Sequence, residues 1–233
     1  MKVLLFGASG MVGQGVLREC LLDPEVNVVL SIVRSSTGQQ HPKLREIVHK
    51  DFLDFSSLET EWAGLDACFF CLGVSSAGMS EENYRRVTYD ITLAAAQALT
   101  RLNPSLTFAY VSGAGTDSSE HGRVMWARVK GQTENALLRL PFKAAYMFRP
   151  GVIVPLHGIK SRTRLYRVSY AILGPILPLL TAFPSYVTTT EKLGRAMLIA
   201  AKRGAPMPVL ESSDINRLCD RSWGRRQIVN ARK

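Results

Sequence analysis

One turn constrains this chain before anything else does. Residues 7–13 read GASGMVG, with glycines at 7, 10 and 13, directly after the apolar run KVLLF (2–6) and directly before MVGQGVLRECLL (11–22). In that second segment Met11, Val12, Val16, Leu17, Cys20 and Leu21 recur at helical spacing, so a strand turns on glycine into a helix. Such a turn brings unpaired backbone N–H groups and the positive end of a helix dipole to one point, which suits a pyrophosphate. Gly7 permits the tight turn, Gly10 lets a ligand approach the backbone, and Gly13 lets the helix pack closely on the sheet. The spacing predicts nucleotide contacts at Gly7, Ser9, Gly10, Met11, Val12 and Gly13; the same glycines also serve a turn that is only structural.

The rest of the first half decides between these readings, because strand-like and helix-like segments alternate through it. VNVVLSIVR (26–34), EIVHKDF (46–52), DACFFCL (66–72), SLTFAYVS (105–112) and KAAYMFR (143–149) read as further strands. Helices are predicted over 81–103 and over 123–140, the latter stopped at Pro141. Continuous apolar strands separated by helices imply an α/β protein with a doubly wound parallel sheet of six strands, a Rossmann fold. We expect a dinucleotide-binding domain over 1–155. Residues 156–233 then form a small C-terminal cap and closing elements of the same domain, with a helix in TTEKLGRAMLIAAKR and a short strand in PMPVLE. At 233 residues and 46% hydrophobic, the chain is long enough to bury such a core, which excludes intrinsic disorder and a disulfide scaffold.

The second strand ends in Val33, Arg34, Ser35 and Ser36. A carboxylate there would hold the ribose 2′-hydroxyl of NAD, whereas a guanidinium with nearby hydroxyls suits a 2′-phosphate, so NADP(H) is expected in preference to NAD. The alternative for Arg34 is a solvated surface arginine. At the end of the third strand Asp51, followed by Phe52, either accepts a hydrogen bond from the adenine amino group or simply begins a turn. Among the four cysteines, Cys20, Cys68, Cys71 and Cys219, only the CFFC pair is close in sequence. On a strand its two thiols point to opposite faces, so both read as core residues and no metal site is expected. Met1-Lys2 leads straight into VLLFGASG with no signal-peptide pattern, from which a cytoplasmic protein is expected.

Taken in order, GxxGxxG, an Asp after the third strand, CLG (71–73) after the fourth and FRPG (148–151) after the sixth resemble the atypical members of the short-chain dehydrogenase/reductase superfamily. The string VSGAG, VKGQTENAL, FRPG is similar to the Tat-interacting-protein-like group and its epimerase-like bacterial relatives. The resemblance covers roughly residues 1–155. It implies that Leu72 and Gly73 lie along the cofactor, and that a Ser after the fifth strand and a YxxxK on the next helix carry the chemistry. Ser112 and Lys130 stand at the Ser and Lys positions, while Trp126 stands at that of the tyrosine.

An indole N–H donates a hydrogen bond but does not ionise usefully, so tyrosine-driven proton transfer is not expected here. Lys130 then either holds the nicotinamide ribose or is a solvated helix lysine. Ser112 either polarises a substrate carbonyl or caps a loop. A replacement acid is sought in the loop SGAGTDSSEHGR, where His121 has the most suitable ordinary pKa. The expected function is that of an NADP-dependent oxidoreductase acting on a carbonyl or alcohol; the rival is a non-catalytic NADP(H)-dependent redox sensor or scaffold.

Charge is uneven. Residues 1–120 hold 9 Lys/Arg against 14 Asp/Glu, whereas residues 121–233 hold 20 against 5. Lys160, Arg162, Arg164 and Arg167 precede an apolar stretch from Tyr170 to Phe183 broken by Gly174, Pro175 and Pro178, too short and too broken to cross a membrane. This stretch fits an acidic or amphiphilic small-molecule substrate, peripheral contact with an anionic membrane, or a core-packed cap with a solvated basic edge. No helix-turn-helix, zinc or RNA-binding pattern accompanies the basicity, so no specific nucleic-acid partner is expected. The helices at 81–103 and 123–140 resemble those that pair in homodimers of the superfamily.

Overall fold

The computed structural model describes residues 1–159 and 184–219. Strand β1 (Lys2–Phe6) leads through the glycine turn into α1 (Met11–Leu22), followed by β2 (Val28–Val33), β3 (Leu44–Val48) and β4 (Ala67–Phe70). The next helix is one run in three parts: α2 (Glu81–Arg85), a π turn (Arg86–Asp90) and α3 (Ile91–Leu102). Ser80 caps its start by accepting the Asn83 N–H, and Glu81 and Glu82 occupy the first turn, where a helix dipole favours negative charge. Then come β5 (Thr107–Val111), α4 (Met125–Leu138), β6 (Ala144–Arg149) and β7 (Val152–Val154). The described chain closes with β8 (Val187–Thr189), α5 (Thr190–Arg203), β9 (Val209–Glu211) and α6 (Ser212–Cys219).

Among the described residues the main sheet has seven strands in the order β3-β2-β1-β4-β5-β6-β9, all parallel, with β7 and β8 paired in a small second sheet. The order reverses direction between β1 and β4, which opens a crevice at the carboxyl ends of these two strands. The short PMPVLE strand is the seventh member, added beside β6. The third strand runs Leu44–Val48 and not 46–52: the chain leaves the sheet at His49, whose N–H still bonds to Val33 O at 2.9 Å, and Asp51 and Phe52 lie in the turn beyond.

Alternation along β1 sends Val3 and Leu5 to one face and Leu4 and Phe6 to the other. The first face packs on Val16, Leu17 and Cys20 of α1 and on Leu193, Ala196 and Met197 of α5. The second is aromatic: Phe6 lies 4.9 Å from Phe70, 5.7 Å from Phe55 and 6.0 Å from Trp62, ring centre to ring centre. Burying each such ring contributes roughly 1.5–3 kcal/mol to folding. Cys68 joins the aromatic face and Cys71 the other, as the strand geometry requires, and burial pushes the Cys68 thiol well up. Among the described residues no group of three or more His, Cys, Asp and Glu could hold a metal ion, and no helix is long and apolar enough to cross a membrane. The elements at 184–219 are built into this sheet and its helical cover; residues 160–183, with the basic cluster and the proline-broken apolar stretch, lie outside the described residues.

Candidate dinucleotide site

The glycines of the turn do different work. Gly7 has φ +80°, and a Cβ on it would lie 2.6 Å from the Cys71 carbonyl and 2.8 Å from Leu72 N. A Cβ on Gly13 would lie 2.0 Å from Gly7 O, inside the turn itself. At Gly10 the only such neighbour is Gly7 O, at 3.4 Å, so that position looks outward. Gly10 is the N-cap of α1 and carries no side-chain cap, which leaves the first-turn N–H groups of Met11, Val12 and Gly13 without intrahelical acceptors. Gln14, which the sequence reading passed over, steadies the turn by donating from Nε2 to Ser9 O at 3.1 Å.

The strand-end loops frame this turn. The backbone of Cys71 and Leu72 presses against Gly7, and a Cβ on Gly73 would meet nothing within 4 Å. Turn and CLG segment are therefore brought together across the β1/β4 crevice. Arg34 follows β2 directly, is exposed, and makes no ion pair or hydrogen bond with a described residue. Ser36 and Thr37 are taken up differently: Glu46 of β3 accepts from Ser36 Oγ at 2.6 Å, from Thr37 N at 3.1 Å and from Thr37 Oγ1. These hydroxyl and amide donors, working against partial burial, hold the Glu46 carboxyl below the usual range. A carboxylate thus reaches the end of β2 from the neighbouring strand, which inspection of the residues after β2 could not reveal. Asp51 is exposed and caps its own turn through Leu53 N at 3.0 Å, while Phe52 is buried in the aromatic nest 6.2 Å from Phe6.

The other end of the crevice is formed by β5, the loop after it and α4. Ser112 is buried, and its hydroxyl lies against the Glu134 carboxylate and 3.2 Å from Phe148 O. Both contacts of the Ser112 hydroxyl are thus to groups of α4 and β6. Glu134, 1% exposed, is gripped by Arg149 of the FRPG segment, with Nε to Oε1 at 3.0 Å and a second contact from Nη2 to Oε2. Arg149 also donates to Ser118 Oγ at 2.5 Å. The Glu134 carboxylate raises the Arg149 pKa further, so the guanidinium stays charged. Neither Glu134 nor Arg149 was singled out from sequence, although both sit in the strings that carry the resemblance.

Lys130 donates from Nζ to the Ser112 carbonyl. Burial pushes its pKa down to about 8, against the pull of Glu134 one turn further on. Trp126, one turn earlier, presents its ring 5.9 Å from Lys130 Nζ and packs on Gly115, where a Cβ would meet the ring at 3.3 Å. The loop between β5 and α4 is clamped: Asp117 N bonds to Ala127 O at 3.1 Å, and a Cβ on Gly131 would strike Asp117 O at 1.7 Å. Asn135 holds Ser118 O at 3.0 Å, and Arg128 holds Gly122 O at 2.6 Å. His121 rides on this loop, exposed, and its charge acts on Asp117.

A parallel sheet in this order with a glycine turn at its switch point defines a Rossmann-type α/β protein. No family model matches the chain. It is 29% identical over 155 residues to "Protein FMP52, mitochondrial" of Eremothecium gossypii, covering 66% of this chain and 67% of that protein. It is 30% identical over 157 residues to "Protein HTATIP2" of Rattus norvegicus (66% and 63%), and 26% identical over 239 residues to "Protein fmp52-2, mitochondrial" of Aspergillus oryzae (94% and 97%).

Among solved structures the fold matches the Bordetella bronchiseptica enzyme WbmF in complex with NAD+, with TM-score 0.64, 15% identity and coverage of 93% and 77%. It also matches a thiolation-reductase di-domain from an archaeal non-ribosomal peptide synthetase, with TM-score 0.66, 14% identity and coverage of 91% and 70%. In sequence the chain is thus similar to FMP52 and HTATIP2 proteins, and in fold to NAD-binding Rossmann enzymes and reductases.

These relatives overturn the expected cytoplasmic location, since those from Eremothecium gossypii, Aspergillus oryzae and Saccharomyces cerevisiae are named as mitochondrial proteins. The expectation rested on residues 1–10, and these form the central strand of the sheet and its turn, dictated by the fold and silent about destination.

Proposed function

We propose that the chain binds NADP(H) across the β1/β4 crevice and acts as an oxidoreductase on a small carbonyl or alcohol substrate. The observation that carries this reading is the outward-facing Gly10 at the uncapped start of α1, walled by the backbone of Cys71 and Leu72. The residues fit the group: Met11 and Val12 N–H would hold the pyrophosphate, Gly73 would leave room beside it, and Arg34, without a competing carboxylate partner, would take the 2′-phosphate. Ser9 and Gly13 would shape the turn around the phosphates, while Asp51 and Phe52 would border the adenine. Lys130 would hold the nicotinamide ribose. Bound there, a reduced nicotinamide supplies a hydride to a carbonyl carbon. WbmF, a fold neighbour, is named as a complex with NAD+, and other neighbours are named as reductases or epimerases, which supports nicotinamide chemistry in this crevice.

Titration of the purified protein with NADPH, NADP, NADH and NAD, followed by tryptophan fluorescence and calorimetry, tests the reading. Tighter binding of the phosphorylated pair by about tenfold or more, the worth of one charge-assisted contact, supports it. Equal binding of all four removes the Arg34 assignment, and binding of none leaves the glycine turn with a structural role.

One observation favours a second reading. With the Ser112 hydroxyl turned to Glu134 and an indole at position 126, two members of the superfamily's usual constellation are unavailable for proton transfer. In that reading the chain binds NADP(H) without turnover, as a redox sensor or scaffold; NADPH oxidation in the presence of carbonyl substrates would exclude it.

A further inference from the structure

We infer that the Lys130 ammonium is itself the acid that protonates the substrate oxygen, taking over the work of a phenol that α4 does not carry. The inference rests on the hydride-transfer reading above. It starts from the local geometry of Nζ. One N–H goes to the Ser112 carbonyl, leaving two donors. On one flank lies the Trp126 ring, 5.9 Å away; on the other is Gly113, φ +125°, where even a Cβ would stop 3.7 Å short of Nζ. Gly113 therefore leaves beside the ammonium only the space of its own missing side chain, bordered by Pro150 O at 3.9 Å, at the carboxyl end of β5, and it is there that a substrate oxygen would meet Nζ.

The other proton carriers nearby are spent or misplaced. The Ser112 hydroxyl points to Glu134, and Glu134 is held between Ser112 and Arg149. Tyr84, on the α2 run packed against α4, and Tyr110 on β5 are buried, with pKa values that burial raises, and their hydroxyls bond to Thr88 and Thr133. Asp117 in the clamped loop accepts from Ser119 and Gly122, which hold its carboxyl below the usual range. His121 lies exposed on that loop. Glu134 is the charged side chain that acts on Lys130, and it favours the ammonium; burial favours the amine and brings the balance to about 8. A group poised there holds its proton at neutral pH and can release it in a transition state.

The step balances. The carbonyl carbon gains a hydride from the reduced nicotinamide, which becomes oxidised, and the C=O π bond breaks as its oxygen takes a proton from Nζ. The product is the alcohol, and the neutral amine regains a proton from water.

The test compares wild type, Lys130→Arg and Lys130→Met. Arginine keeps the charge and the ribose contact but cannot give up its proton. The readouts are NADPH affinity, kcat/KM against pH with 4-nitrobenzaldehyde, hexanal and cyclohexanone, and the 13Cε shift of Lys130 against pH without nucleotide. We expect wild-type kcat/KM to fall above about pH 8 in step with the 13Cε titration. Lys130→Arg should bind NADPH within about threefold of wild type yet lose roughly a hundredfold or more in kcat/KM, the worth of a general acid, and lose the alkaline fall with it.

If Lys130→Arg or Lys130→Met keeps the wild-type profile, or if Lys130 titrates near the ordinary lysine value of about 10.4, the proposal is overturned while the oxidoreductase reading stands. If wild type binds NADPH and reduces none of the three probes, both fall together.

Discussion

The Glu134 carboxylate and the Arg149 guanidinium, fifteen positions apart, form a two-pronged ion pair that joins α4 to the carboxyl end of β6 with only 1% and 11% of their side chains exposed. The pair also receives the Ser112 hydroxyl and, through Arg149, reaches Ser118 in the loop after β5. It fastens α4, the helix that carries Lys130, to β6.

Removing one partner strands the other. Glu134→Ala should cost about 3 kcal/mol or more in unfolding free energy, because the buried guanidinium keeps only Ser118 and the half-exposed Glu211, 3.5 Å from Nη1. Glu134→Gln keeps acceptor oxygen and should cost less. Urea denaturation of the three proteins measures this, and a loss below 1 kcal/mol for the alanine variant would contradict it.

The two glycines of the turn should separate binding from folding. At Gly13 a methyl group would strike Gly7 O, so Gly13→Ala should destabilise the protein by roughly 1–3 kcal/mol, the range for forced overpacking. At Gly10 the same methyl meets only a 3.4 Å contact, so Gly10→Ala should melt close to wild type and yet weaken NADPH binding more than about tenfold by blocking the approach. Calorimetric melting and NADPH titration of both variants provide the comparison.

At the ribose end, Arg34→Ala should weaken NADPH by about tenfold or more and leave NADH nearly untouched, since only the former has the phosphate to lose. Glu46→Ala should weaken NADPH by a smaller factor, because it frees Ser36 and Thr37 and lets the loop beside Arg34 move. Equal losses for both nucleotides in Arg34→Ala would take the 2′-phosphate away from this residue.

Much of this arrangement is legible in the sequence because it is local. Glycine spacing, runs of β-branched and aromatic residues, and helical periodicity name the strands and the turn without knowledge of what lies beside them. What lies beside them is the part that stays hidden. Glu46 serves the loop after β2 only because β3 is its neighbour in the sheet, and Glu134 meets Arg149 only because α4 crosses β6. Ser112 stands at the right position along the chain, but its rotamer is chosen by a carboxylate 22 positions later. The third strand is shorter than its apolar run for a related reason: Phe52 serves the aromatic nest and not the sheet.

One acid-dependent contact lies near the start of α5. His157 and Arg195 both pair with Glu191, and the His157 hydrogen bond is the larger influence holding that carboxyl below its ordinary range. A carboxyl lowered in the folded state contributes stability above its unfolded pKa and loses it as pH falls through the folded value. The melting temperatures of wild type and Glu191→Gln should therefore differ at neutral pH and converge as pH falls from about 4.3 downward. A difference that persists unchanged to about pH 2 would show that Glu191 acts through packing.

Restoring a phenol at position 126 tests the crevice from the other side. Trp126→Tyr should raise NADPH-dependent carbonyl reduction, because a second proton donor then stands one turn from Lys130. The ring rests on Gly115, so the smaller side chain fits without displacing the loop. A fall in an existing activity would instead show that the indole contacts substrate.

Gly15 of α1 and Gly194 of α5 let the two helices touch backbone to backbone: a Cβ on Gly15 would lie 2.7 Å from Thr190, and one on Gly194 would lie 3.0 Å from Gly15 O. The helix that would carry the phosphates is thus backed by a segment nearly 180 positions downstream. During synthesis the glycine turn emerges among the first residues, yet Val16, Leu17 and Cys20 lack the α5 side of their packing until α5 has left the ribosome. The nucleotide crevice is begun early and completed late, so a nascent or truncated chain ending before residue 190 carries the whole glycine signature while its first helix still lies open on one side.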